Sequence, residues 1–287
     1  MTSFGAHAFV WTPRWDARNA ETVIRSAAAH GLDFVEVPLL GLETFPRRAT
    51  RRLLDEHGLG VTASLGLPAD CHMPSNPSGA LRYLTGAIEL AAELGSSTLT
   101  GALYTNLGTL TRRPPTEEEL ATCAAILKDA ARLAARHGIA LGIEAINRYE
   151  TYLFNTAGQV ARVLDRIDEP NVFAHLDTFH MCIEEKGFAA PMELLGDRLR
   201  YLHVSESDRG TPGTGNVDWD GVFGGLRDVG YRGPLAMESF VAIEDGVIGA
   251  TAIWRPIVDD PDALIGEGLA FLREKARAYG LWSDDTL

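Results

Sequence analysis

Residues 139–177, IALGIEAINRYETYLFNTAGQVARVLDRIDEPNVFAHLD, hold one complete repeat of the architecture. A β-rich apolar run over 139–146 passes through a polar loop into an amphipathic stretch at 157–167. A second apolar run follows at 171–177. Strand, helix and strand in that order make a parallel βαβ unit.

Moving outward in both directions, the same alternation recurs. Strand-like runs occupy 4–11, 33–39, 60–65 and 97–104 before this unit, and 200–205 and 234–240 after it, eight in all. Amphipathic stretches at 21–29, 80–94, 117–136, 219–229 and 261–279 supply helices between and after them. His30-Gly31, His57-Gly58, Leu94-Gly95 and His137-Gly138 are helix stops. The segment after Asp177 has the weakest helical pattern. Eight β-then-α repeats without a linker predict an α/β fold, a single closed (β/α)8 TIM barrel filling 1–287 as one domain. The competing open doubly wound sheet would place a Gly-rich turn after its first strand, and none follows residues 4–11.

Composition narrows the function. The chain of 287 residues is 46% hydrophobic, ample for a large core, and carries a net charge of −13. A negative field of that size repels phosphate backbones, so no nucleic-acid partner is expected. Arg47, Arg48, Arg51 and Arg52 have the spacing of a solvated helix face. No apolar run reaches the ~18 residues of a membrane span, and the start MTSFGAHAFVW lacks a signal-peptide pattern. Cys71, Cys123 and Cys182 form no CxxC pair, so neither a disulfide framework nor a structural zinc site is expected. A cytoplasmic location fits best. None of the three lysines, Lys128, Lys186 and Lys275, ends a strand, which argues against Schiff-base chemistry.

In a barrel of this kind chemistry gathers at the C-terminal ends of the strands. Glu144, Asp177, His203 and Glu238 stand at the ends of strands 5, 6, 7 and 8, spaced 33, 26 and 35 residues apart. Carboxylates interrupting apolar strands at one spot would repel one another strongly without a cation. Three carboxylates and an imidazole suit a hard or borderline divalent ion such as Mn2+, Mg2+ or Co2+. His7 and Glu36, on strands 1 and 2, are placed to reach the pocket mouth. The run Gly210, Thr211, Pro212, Gly213, Thr214, Gly215 lacks the strand-to-helix setting of a phosphate cradle and reads as a mobile turn, which disfavours a phosphorylated ligand.

The stretches GIEAINRYET and YLFNT (142–156), HLDTFHMCIEE (175–185), LHVSESDRGTPGTGNVDW (202–219) and GYRGPLAMESF (230–240) resemble the D-tagatose 3-epimerase, or ketose 3-epimerase, family of the xylose-isomerase-like superfamily. The resemblance spans nearly the whole chain. It implies that Glu144, Asp177, His203 and Glu238 bind the metal, and that Glu144 and Glu238 are the acid/base pair. It further implies that Glu150, His180 and Arg209 grip the ketose C1–C3 oxygens, that Trp15 lines the pocket, and that the chain forms a homodimer or homotetramer. Residues 219–229 and Trp254-Arg255 are candidate self-association surfaces. The chain departs from its relatives at Tyr104-Thr105-Asn106-Leu107, where a tryptophan is common, and at His7, where some have Phe. Both positions bear on sugar preference among fructose/allulose, tagatose/sorbose and ribulose/xylulose.

The implied reaction removes a proton beside a sugar carbonyl and returns it on the opposite face, with a glutamate on each side. Rival readings are an aldose–ketose or hydroxypyruvate-type isomerase, an endonuclease-IV-like phosphodiesterase, and a non-catalytic sugar-binding barrel. Xylose isomerases use a lysine near the site, absent from these strand ends; the nuclease needs a His-rich trinuclear cluster, and this chain has 8 His. Retention of both Glu144 and Glu238 argues against a purely binding role.

Overall fold

The computed structural model describes residues 2–240 and 251–283. Eight parallel strands close on themselves in sequence order, β8 pairing with β1. They are β1 Phe4–His7, β2 Phe34–Pro38, β3 Gly60–Gly66, β4 Thr98–Ala102, β5 Ala140–Glu144, β6 Val172–Asp177, β7 Leu199–His203 and β8 Leu235–Met237. Around them lie α1 Ala17–Ala29, α2 Arg47–His57, α3 Pro77–Leu94, α4 Glu117–Arg136, α5 Ala157–Ile167, α6 Thr178–Glu184, α7 Ala189–Leu195, α8 Trp219–Asp228 and α9 Pro261–Ala278.

Helix ends follow local chemistry. Asp16 caps α1 through two backbone N–H groups, and Thr116 with Glu119 and Thr156 with Gln159 close capping boxes on α4 and α5. Gly58 and Gly95 stop α2 and α3 in the left-handed conformation, which glycine adopts without steric cost. The arginine-rich α2 is indeed a charged outer face: Arg47 pairs with Glu93 at 3.0 Å, Arg52 with Glu56 at 2.7 Å, and Arg51 with Asp55. The weak pattern after Asp177 corresponds to two helices of seven residues each, too short to show a full apolar stripe. The apolar residues of α8 are spent inside the chain, since Trp219 and Phe223 are buried against Phe271 and Tyr279 of the α9 region. They are therefore not free for self-association, whereas Trp254 is 76% exposed.

Two apolar clusters result from the strand period of two. Outward residues such as Val35, Val37, Leu141, Ile143 and Leu176 join the helices in one large core. Inward residues form a second, small cluster of Phe34, Phe173, Tyr201 and Ala236, which floors the barrel. The next inward residue on four strands is Glu36, His175, His203 or Glu238, so the aromatic floor carries the polar residues directly above it.

Most strand ends fall earlier than the apolar runs suggest, β3 and β6 excepted. β1 stops at His7, whose Nδ1 accepts a hydrogen bond from Phe9 N and starts a 3-10 turn over Ala8–Val10. β5 stops at Glu144 and β8 at Met237. The polar side chain itself marks where regular pairing ends.

Space inside the barrel is tight. A Cβ on Gly142 would fall on Thr100 Oγ1 and within 2.6 Å of the Phe173 ring. Gly142→Ala should therefore destabilise the fold by about 1–3 kcal/mol in urea or thermal denaturation, the usual cost of overpacking. Gly158→Ala on α5, where no neighbour lies nearer than 3.8 Å, should be neutral or stabilising.

Candidate active site

Each candidate side chain is placed by the last residue or two of a strand. Glu144 and Asp177 end β5 and β6, His203 ends β7, and Glu238 directly follows β8. Register sets Glu144 beside His175 and Asp177 beside His203. His203 Nδ1 faces three carboxylates, at 3.8 Å from Glu144 Oε1, 3.8 Å from Asp177 Oδ2 and 3.4 Å from Glu238 Oε2. That nitrogen is buried and makes no hydrogen bond.

Charge in the cluster is far from balanced by the protein alone. Burial, then the nearby Glu238 and Asp177 carboxylates, push the Glu144 carboxyl well above its usual range, against the pull of His203. Burial acts the same way on Glu238, but His203 and Arg209 outweigh it and hold that carboxyl well below its usual range. The Arg209 Nη1 donates to Asp177 Oδ2 at 2.5 Å, Glu238 Oε2 at 2.8 Å and Ser205 Oγ at 3.0 Å. Its guanidinium lies 4.0 Å above the Phe179 ring, and its backbone is held at φ +65°. A left-handed arginine costs of order 1 kcal/mol, so the loop spends stability to keep this cation in place.

The residues present fit a divalent ion. Glu144, Asp177 and His180 offer ligand atoms within 4.8 Å of one another, and so do Asp177, His203 and Glu238. With metal–oxygen bonds of about 2.1 Å, ligand atoms sit ~3.0 Å apart when adjacent and ~4.2 Å apart when opposed. The 3.4–3.8 Å separations around His203 Nδ1 lie within that range. The unpartnered nitrogen and the oxygen-rich donor set are what a hard or borderline cation takes.

These groups border a cavity of about 450 Å³ at the barrel mouth. His7, Glu36, Glu150, His180 and Arg209 all line it, and Asp177 is sealed just beneath its surface. Trp15 does not. It packs against Phe45 and donates from Nε1 to Thr50 Oγ1 at 3.0 Å, holding the first βα loop to α2. The loop aromatics that border the cavity are Phe9 and Phe240 instead. Glu36 lies at the floor, where its Oε2 accepts from His203 Nε2 at 2.8 Å and Tyr201 OH at 2.6 Å. The Gly210–Gly215 run is no loose turn, because buried Glu206 accepts from Gly213 N, Val217 N, Ser207 N and Trp219 Nε1.

Three participants escaped sequence reading. Asn147 Nδ2 bridges Glu150 Oε1 at 2.7 Å and His180 Nδ1 at 2.8 Å. Buried His175 meets Thr100 Oγ1 at 2.8 Å, and Tyr201 supports Glu36. The period of two was a usable signal for the last pair, since each lies two residues before a candidate ligand on the same face.

Burial, opposed by Arg209 and by the Asn147 hydrogen bond, raises the Glu150 carboxyl from 4.5 to about 7. The folded, metal-free protein therefore keeps this proton above the pH at which the unfolded chain releases it, and the associated stability is lost as pH climbs through 7. Glu150→Gln removes that loss. Chemical denaturation of the metal-free protein from pH 5 to pH 8.5 should show the variant gaining on wild type by up to about 3 kcal/mol.

Comparison with known proteins agrees with this geometry. Residues 24–275 match the family model described as xylose isomerase-like TIM barrel. The chain is 37% identical to an L-ribulose 3-epimerase of Methylomonas sp., over 95% of this chain and 97% of the relative. It is 35% identical to a ketose 3-epimerase of Arthrobacter globiformis, covering 96% of each. The crystal structure of a Methylomonas D-allulose 3-epimerase in complex with D-allulose superposes with a TM-score of 0.92 at 37% identity, covering 96% of this chain and 97% of that one. The chain thus belongs to the xylose isomerase-like TIM-barrel family, among its ketose 3-epimerases, and is a carbohydrate-isomerising enzyme.

Proposed function

We propose that this enzyme interconverts free ketoses epimeric at C3, using a divalent metal, Mn2+ foremost, and Glu144 and Glu238 as two bases on opposite walls. The observation that carries the reading is the placement of these two glutamates. They rise from β5 and β8 with β6 and β7 between them, and share the neighbourhood of His203 Nδ1. Their carboxyls are biased in opposite directions, Glu144 towards the acid and Glu238 towards the carboxylate. That is the division of labour a proton removal and return requires.

Glu144, Asp177, His203 and Glu238 would hold the cation. When bound, it would supply electrophilic polarisation of the ketose carbonyl and its neighbouring oxygen. Glu238 then takes the C3 proton from one face while Glu144 delivers one from the other, and the roles reverse for the opposite epimer. Arg209, His180 and Glu150 orient the C1–C3 oxygens, with Asn147 locking His180 and Glu150 together. Burial, assisted by Arg209 and His203, lowers His180 to about 4, so it meets the sugar as a neutral imidazole.

The far half of the mouth supports a free sugar. Pro13, Pro38, Leu40, Leu65, Leu67 and Leu107 dominate it. Asn106 and Tyr83 there are already bonded to Leu67 O and Leu39 O. Arg209 is the sole Lys or Arg among the described lining residues, and it serves the opposite half. A phosphate on the sugar tail would lack a cationic partner among them.

The test is exchange in D2O. Metal-stripped protein given Mn2+ and a panel of ketohexoses and ketopentoses should place deuterium at C3 with inverted configuration, and do so only with metal. Deuterium at C1 with aldose product would instead identify an aldose–ketose isomerase. Glu144→Gln and Glu238→Gln should each lower kcat by at least ~10²-fold while keeping the fold. Full turnover by either variant would sink the two-base reading.

A further inference from the structure

Glu36 is a wholly buried carboxylate that the reaction above does not use. One oxygen, Oε2, receives both the His203 Nε2–H at 2.8 Å and the Tyr201 hydroxyl at 2.6 Å. Tyr201 OH in turn lies 2.8 Å from Thr62 Oγ1, which must be the donor because the tyrosine proton is committed to Glu36. The chain Thr62→Tyr201→Glu36←His203 therefore crosses the barrel interior between β3, β7 and β2. It stands directly on the aromatic floor of Phe34 and Phe173. The other oxygen, Oε1, faces His7 Nε2 at 3.8 Å.

This geometry puts a proton on Nε2 of His203. A carboxylate can only accept, so Nε2 carries a proton, and Nδ1 is the nitrogen left to meet a cation. Nδ1 is the atom aimed at Glu144, Asp177 and Glu238. We propose that Glu36 is a positioning residue for the metal centre: through its hydrogen bond it fixes the His203 tautomer and ring orientation, and Tyr201 and Thr62 fix Glu36. The proposal rests on the metal site described under the preceding heading. It also revises the role that strand position alone suggests for Glu36, contact with sugar, because its hydrogen-bonded oxygen is committed to protein donors.

The experiment titrates Mn2+ into metal-stripped protein and follows free Mn2+ by electron paramagnetic resonance. Variants are Glu36→Gln, Glu36→Leu, Tyr201→Phe and, as control, His203→Asn. Loss of a partner behind a ligand imidazole typically weakens metal binding 10–100-fold. Glu36→Gln should fall in that range and Tyr201→Phe should show a smaller loss, with the thermal midpoint of both metal-free proteins close to wild type. At saturating Mn2+ the ketose KM should stay within about twofold. Long-range 15N–1H spectra of histidine-labelled protein should show a well-resolved proton on His203 Nε2 in wild type and an exchange-broadened one in Glu36→Leu. If Glu36→Leu does not fold, Glu36→Gln and Tyr201→Phe still decide. Unchanged Mn2+ affinity with a KM raised tenfold or more would overturn the proposal and make Glu36 a sugar contact. Should wild type fail to bind Mn2+, or His203→Asn bind it equally well, the metal site itself would fall. An indifferent Glu36→Gln beside a normal wild type would remove only the role of Glu36.

Discussion

Four carboxylates, Glu36, Glu144, Asp177 and Glu238, converge inside the mouth of a closed barrel, and their mutual repulsion in a poorly solvated space is the constraint around which the molecule is arranged. Arg209 and His203 supply positive charge and hydrogen-bond donors to them. Arg209 is bent into a left-handed backbone and sandwiched by Phe179 and Phe240 so that one nitrogen can serve Asp177 and Glu238 together. His203 is shared between Glu36 on one nitrogen and the remaining three acids on the other. The protein still leaves Glu144 strongly inclined to keep its proton. A divalent cation would complete such an arrangement, and the same imbalance biases the two glutamates in opposite directions.

Holding that cluster open requires a rigid frame. The aromatic floor of Phe34, Phe173 and Tyr201 prevents the inward acids from sinking, and Gly142 leaves room for the Phe173 ring. Above, several of the described βα loops are tied down by side-chain hydrogen bonds. Glu206 gathers the loop after β7, while His72, Tyr152 and Glu119 link the third, fourth and fifth loops. The mouth thereby acquires two chemically distinct halves. Strands 5 to 8 present most of the charged groups, joined by His7 and Glu36 from strands 1 and 2, and the loops of strands 1 to 4 present mainly prolines and leucines.

Much of this is legible in the chain, for identifiable reasons. Each strand is an apolar run ended by a helix-forming stretch, so the eight repeats count out a barrel, and an acid or imidazole closing such a run marks its mouth. Glu144, Asp177, His203 and Glu238 are visible on that ground alone. Strand length is less legible: residues 8–11 and 145–146 are as apolar as the strands before them, yet the chain turns away once the polar residue is reached. Trp15 shows the limit of position by analogy. It begins near the mouth, but Phe45 and Thr50 offer its ring and N–H better partners away from the cavity.

Alternation of apolar runs with amphipathic helices, a local property of neighbouring residues, was enough to determine the barrel, the order of its strands and the set of side chains at its mouth. Partnership was not. Glu36 and His203 are 167 residues apart, as Thr62 and Tyr201 are 139, and only closure of the sheet brings each pair within hydrogen-bond reach across the barrel. That Nε2 of His203 bears a proton, and that Glu150 holds its own near neutrality, follow from burial and from neighbours contributed by distant strands. Those are properties of the enclosed space, and it exists only once β8 has joined β1.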